Sequence, residues 1–168
     1  MEIIICTILL FILLPFASLA PRHPTRNRDF WRIKKAISLK KTDRFLEIWC
    51  GNAKVSLFLA KEYPDNKIIW IEFSLIMYTI SRIKVFYSGL KNIKIIYGNA
   101  LKVDFSKYDV VYVYGMPETM TKKLFPKLKE KVNKDFSLVS YCFPMKNDFF
   151  KEAVYAEKNR NSIYEYKL

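Results

Sequence analysis

"FLEIWCGNAKVSLFLA", residues 45–60, runs from a continuous apolar stretch into a turn with a single glycine, Gly51, and out into a helix-forming segment. An uninterrupted apolar strand is buried on both faces, and such strands belong to parallel sheets covered by helices. The chain then repeats the alternation. "KIIWIEF" reads as a second strand, "SLIMYTISRIKVFYSG" as a helix with Ser74 as N-cap and Gly89 at its end, "IKIIYGN" as a third strand and "YDVVYVYG" as a fourth. "PETMTKKLFPKLKEKV" predicts a helix opened by Pro117 with a kink or break at Pro126, and "FSLVSYCF" a fifth strand. Between "FFKEAVYAEKN" and "SIYEYKL" only "RN" or "NRN" remains, too little for a helix, so the tail predicts an antiparallel hairpin at the sheet edge. The expected fold is α/β: five parallel-type strands with right-handed crossovers and a C-terminal antiparallel hairpin.

Upstream, "IIICTILLFILLPFASLA" at residues 3–20 carries no charged side chain, enough at the lower limit to span a bilayer as a helix. A cleaved signal peptide competes, because "ASLA" has the small residues of a cleavage site, yet only Met1 and Glu2 precede the apolar run. Between Arg22 and Lys41 stand eight Lys or Arg against one Asp. The positive-inside rule keeps such a flank, and the domain after it, on the cytoplasmic side of a single-pass anchor. The expected organisation is an anchor over 1–20, a basic linker with a leading helix over 21–41, and the α/β domain over 42–168. A formal charge of +13 on 168 residues favours anionic partners, and the basic flank suits an anionic membrane surface. Cys6, Cys50 and Cys142 lack metal-ligand spacing and His23 stands alone, which sets aside zinc and His-dependent triad chemistry.

In an open parallel sheet a ligand sits beyond the carboxyl ends of the strands, where strand order reverses. Three strand ends carry groups suited to that role. Gly51 lets the backbone approach a ligand at the start of a helix, Glu72 follows it by 21 residues at the distance of a ribose-binding carboxylate, and Asn99, with Ala100 behind it, offers an amide to an adenine edge.

The order of these elements resembles a class I S-adenosylmethionine-dependent methyltransferase, with its Rossmann-like sheet and its first motif of acid, apolar, Gly, x, Gly, x, Gly. The segments "APRHPTRNRDFWRI", "FLEIWCGNAKVSLFLAKEYP", "YDVVYVYGMPETM" and "SYCFP" are similar, more narrowly, to the membrane-anchored lysine methyltransferases that modify the ATP synthase c-subunit or the adenine nucleotide translocase, and to their bacterial relatives. The resemblance covers roughly residues 20 to 145. It implies S-adenosylmethionine as cofactor and a protein substrate, in these relatives a membrane protein. It also implies that Glu47 faces the methionine amino group, that Gly51 is the central glycine followed by the basic Lys54, that Glu72 takes the ribose hydroxyls, and that Asn99 and Ala100 lie near the adenine. Tyr114 and Pro117 fall in the segment lining the methyl-acceptor pocket, and Glu118 lies beside them.

Two departures stand out. Trp49 occupies the place of the first glycine and Ala53 that of the third, so the indole must either displace the cofactor or swing aside. Asn52 and Asn99 stand where the family carries acids, keeping hydrogen-bonding capacity while losing two charges. Three functional readings follow: a protein-lysine methyltransferase, a methyltransferase-like scaffold with a degraded cofactor loop, and an RNA methyltransferase suggested by charge. The last ranks lowest, because "YGMP" replaces the "N-P-P-Y" tetrapeptide of many base methylases. Purely structural roles are open to the same residues: Glu47 as a carboxylate capping the next helix, Glu72 as a surface acid paired with lysine, and Tyr112 and Tyr114 as sheet packing.

Overall fold

The computed structural model describes residues 24–168. The leading segment holds a 3-10 turn, Asn27–Asp29, and helix α1, Phe30–Ile37. Strand β1, Phe45–Ile48, is followed by α2, Lys54–Glu62, then β2, Ile68–Glu72, α3, Leu75–Ser88, and β3, Ile93–Tyr97. Two 3-10 turns, Ala100–Lys102 and Phe105–Lys107, lead to β4, Val110–Val113. Helix α4 begins with Pro117–Thr119, passes through a π-helical turn, Met120–Leu124, and ends in Phe125–Lys131. Strands β5, Ser137–Tyr141, β6, Lys151–Tyr155, and β7, Ile163–Lys167, complete the chain.

The seven strands form one mixed sheet in the order β3-β2-β1-β4-β5-β7-β6. The first five run parallel, and β7 lies antiparallel to both β5 and β6. Strand order reverses between β1 and β4, so the crevice for a ligand opens above their carboxyl ends. Period-two alternation divides the core. Phe45, Trp70, Tyr112 and Val139 face α1 and α2, while Leu46, Ile48, Val111, Val113 and Leu138 face Met120, Leu124 and Leu128 of α4.

The predicted order of elements is the observed one, Ser74 and Gly89 included: the Ser74 side chain accepts from the Met77 N–H, and Gly89 closes α3 at φ 67°. Two details differ. Pro126 does not break its helix; the Phe125 N–H bonds the Met120 carbonyl five residues back, and this wider turn accommodates a ring with no N–H to give. The hairpin connection is residues 156–162, longer than the two or three expected, with Asn159 in the left-handed region at φ 62°. The expected transmembrane helix over 1–20 lies outside the described residues; among those described, no helix is long and apolar enough to cross a membrane.

The leading segment is fastened to the far end of the chain. Buried Asp29 accepts from the Tyr141 hydroxyl at 2.8 Å, and Arg32 donates to Asp29 and to the carbonyls of Tyr155 and Asn161. These bonds consume part of the basic flank: Arg32 also pairs with Glu157, Lys34 with Glu62 and Lys41 with Asp65.

Candidate active site at the carboxyl ends of the strands

The turn after β1 holds three residues in left-handed backbone, only one of them glycine. Trp49, Gly51 and Ala53 have φ of 57°, 54° and 58°. All three lie in the left-handed region, where a residue with a Cβ costs roughly 1–2 kcal/mol. A Cβ at Gly51 would meet nothing within 4 Å, so open space adjoins its Cα. The turn closes through Ala53 N–H to the Cys50 carbonyl, and helix α2 starts at once.

Trp49 does not project into that space. Its indole enters the core on the α4 side, among Ile48, Ile71 and Met120, and lies against Gly115 at the end of β4. The ring thus packs between the ends of β1 and β4, at the margin of the crevice.

Glu47 is buried in β1 and accepts from both the N–H (3.0 Å) and the hydroxyl of Ser56. It therefore caps the first turn of α2. Burial pushes its carboxyl up to about 8 against the pull of the two Ser56 bonds, with Glu72 adding repulsion. A cationic ligand group beside it would draw the proton off.

Glu72, also buried, clamps the turn to the end of β2. One oxygen accepts from Gly51 N–H at 2.9 Å and from the Cys50 thiol, the other from Ser74 N–H at 2.7 Å. The reading of Glu72 as a lysine-paired surface acid is corrected here: the carboxylate is inside and its partners are backbone amides. Burial, with the two carboxylates adding to it, pushes the Cys50 thiol well up, which leaves it a neutral hydrophobe.

Two residues that sequence reasoning missed brace the turn from α3. Ser81 donates to the Gly51 carbonyl at 3.2 Å and Lys84 to the Asn52 carbonyl at 3.1 Å. Their i, i+3 spacing puts them on one helix face, the only available signal. Gly115, equally missed, was marked only by its place after β4.

At the end of β3, Asn99 accepts from Leu101 N–H through its Oδ1, over buried Ala100. Among the described residues its side-chain amide nitrogen has no bonded partner.

Tyr114 is half-buried beyond β4, edge-on to Tyr141 at 5.0 Å and stacked with Phe143 at 6.1 Å. Burial raises its hydroxyl, with the Cys142 thiol beside it. Tyr112 is packing: it is fully buried and its hydroxyl pairs with Thr25. Pro117 opens α4 next to this cluster, but Glu118 does not join it. Its exposed carboxylate turns along the helix to Lys122 at 2.7 Å.

A shallow cavity of about 500 Å³ lies between Lys54 and the leading residues Pro24, Thr25, Arg26, Asn27 and Arg28. A deeper one, about 510 Å³, opens at the opposite edge, at the amino ends of the strands around Arg44, Asp109 and Glu165. The helix N-termini and the glycine turn face only the first edge, and ligand chemistry belongs there.

The sequence pattern described as the ANTKMT methyltransferase domain matches residues 47–149. The chain belongs to this family. The ANTKMT-family domain is also 31% identical over 100 residues to the demethylmenaquinone methyltransferase of Geobacillus stearothermophilus, a match covering 54% of this chain and 43% of that relative. The chain thus spans less than half the length of this curated relative. In fold it is similar to an RNA methyltransferase from Salinibacter ruber in complex with S-adenosyl-L-homocysteine, with TM-score 0.76, 19% identity, and 85% and 92% of the two chains covered. It is similar also to a mutant of MtNAS in complex with S-adenosylmethionine, with TM-score 0.66, 15% identity and coverage of 83% and 62%.

The fold is a Rossmann-like α/β methyltransferase fold, and S-adenosylmethionine is the cofactor of this ANTKMT-family domain. The residues present fit it. The space beside Gly51 admits a ligand, two buried carboxylates flank a turn that would meet a cationic sulfonium and ammonium, and Asn99 keeps a donor at the adenine end.

Proposed function

We propose that this domain is a methyltransferase acting on a lysine amine of a membrane-associated protein. The observation that carries the proposal is the turn itself, where Trp49, Gly51 and Ala53 all adopt left-handed backbone and the indole packs against Gly115, leaving the space beside Gly51 open.

Bound S-adenosylmethionine supplies an electrophilic methyl group on a sulfonium. The chain's residues do the positioning. Gly51 lets the backbone close on the ligand, Glu72 holds the turn rigid and presents its remaining lone pairs, and Glu47, once ionised, faces the amino group. Tyr114, backed by buried Tyr141 and stacked with Phe143, offers an aromatic surface suited to an amine that must shed water and its proton before attack in line. Methyl transfer of this kind asks for orientation and desolvation more than for a strong base.

The apolar residues 3–20 and the exposed part of the basic flank support a membrane location with the domain on the cytoplasmic side. Tyr114 and Phe143 at the acceptor edge favour an amine acceptor, and the labelling below separates a protein from RNA.

The test has two steps. Titration of the full chain with S-adenosylmethionine and S-adenosylhomocysteine should give micromolar binding, on the order of −8 kcal/mol. Labelling of membrane and RNA fractions with radioactive cofactor should then place the methyl group on a protein lysine. Label confined to RNA overturns the substrate assignment, and no binding at millimolar cofactor makes the domain a scaffold.

A further inference from the structure

Helix α3 turns an apolar face to water. Leu75, Ile76, Ile80, Ile83, Phe86 and Tyr87 are exposed along it, Phe86 and Tyr87 by 81% and 82%. Phe73 before the helix and Tyr97 at the end of the edge strand β3 extend the surface. The one fully buried residue of α3 is Ser81, so the helix is amphipathic the wrong way round for a core element.

Charge accompanies this surface. Besides Lys84, which turns inward to Asn52, residues 73–102 contain Arg82, Lys91, Lys94 and Lys102 and no Asp or Glu. A second copy of the chain would bring the same cations against these. A nucleic acid would find aromatic faces only at the ends of this surface, and along its length Leu75, Ile76, Ile80 and Ile83, which neither stack nor hydrogen-bond. Aliphatic side chains with Phe and Tyr at the ends, ringed by cations, match the headgroup region of an anionic bilayer, where acyl chains take the apolar face and phosphates the cations.

We infer that the outer face of α3, with Phe73 and Tyr97, is a membrane-contact surface that seats the domain on an anionic bilayer. This deepens the membrane location proposed above and rests on it. The surface is distinct from the basic flank, several of whose cations are consumed by Asp29, Glu62, Asp65 and Glu157. It also has a bearing on the site. The inner side of the same helix holds the cofactor turn through Ser81 and Lys84, so seating α3 on lipid fixes the turn relative to the membrane plane.

The test uses the full chain in vesicles of phosphatidylcholine and phosphatidylglycerol containing a phospholipid with a diazirine on its acyl chain. After irradiation, peptide mapping should find label in residues 73–97 and none in α4, on the opposite face of the sheet. Label in 73–97 should fall at least about fivefold when phosphatidylglycerol is omitted, and to a similar extent in the triple variant Ile83→Ser, Phe86→Ser, Tyr87→Ser. These positions are exposed, so the variant should keep the wild-type affinity for S-adenosylmethionine. Vesicle pelleting with label only in residues 1–23 overturns the inference and leaves the anchor standing. Failure to pellet overturns both. Crosslinks from 73–97 to a second copy, in place of lipid, overturn it in favour of a dimer.

Discussion

The indole of Trp49 lies against Gly115, so close that a Cβ at position 115 would stand 2.5 Å from its Cζ3 and 2.9 Å from its Cε3. The side chain that replaces the motif's first glycine is thus received by another glycine on the neighbouring strand end. Gly115→Ala should cost about 2–3 kcal/mol, because a ring packed in the core cannot yield as a flexible side chain does. In a Trp49→Ala background the same change should cost almost nothing. Urea melts of the four proteins measure the coupling, and additive costs would mean that the two residues do not share this contact.

The two glycine replacements should respond unequally to restoration. Ala53→Gly relieves a left-handed Cβ and loses one buried methyl, so its stability should stay within about 1 kcal/mol of the parent. Trp49→Gly gains the same relief but empties a core site, for a net loss of roughly 2–3 kcal/mol. Cofactor affinity should also fall in Trp49→Gly, since the end of β4 loses its support. Calorimetric titration decides, and tighter binding in Trp49→Gly would show that the ring obstructs the ligand.

Glu47 sets a pH dependence. Its folded value of about 8 exceeds its ordinary 4.5, so the folded state holds a proton that the unfolded state has released. The contribution to stability is complete below about pH 4.5 and is lost as pH rises toward 8. Relative to Glu47→Gln, which keeps an acceptor for Ser56, the parent should lose about 1–4 kcal/mol between those limits. Cofactor binding near neutral pH should release a proton, visible as a dependence of binding heat on the ionisation enthalpy of the buffer. No proton release would mean that the ligand ammonium sits elsewhere.

Glu72 should matter for both fold and ligand. Glu72→Ala leaves the Gly51 and Ser74 N–H groups without their acceptor, costing about 1–3 kcal/mol, and should weaken cofactor binding at least about tenfold. Unchanged affinity in a folded variant would exclude a role at the ligand.

Glu118→Ala should leave melting temperature and methyl transfer at parental values, because the carboxylate stands in water beside Lys122. A large loss of turnover would return it to the acceptor pocket.

The fold was legible because continuous apolar strands, an N-cap serine and a closing glycine each act locally, and Phe45–Ile48, Ser74 and Gly89 needed no distant partner to declare themselves. The site was legible only where a position carries its meaning alone. Glu47 and Glu72 could be placed at strand ends, but not their shared grip on the turn, which depends on Ser56 and Ser74 meeting them in space. Gly115 gains significance only when Trp49 is found against it. Lys84 is one lysine among many until α3 packs beside Asn52. The hairpin loop was misjudged because the strands fray earlier than their composition suggests, at Tyr155 and Ile163.

The ties between the leading segment and the tail bear on the order of folding. Thr25 pairs with Tyr112, Asp29 with Tyr141, and Arg32 with the carbonyls of Tyr155 and Asn161. None of these partners exists when residues 24–37 leave the ribosome, and at roughly 5–20 residues per second the last arrives many seconds later. The first part of the domain to be made is therefore the last to dock, and the contacts of residues 24–37 wait for the C-terminal hairpin.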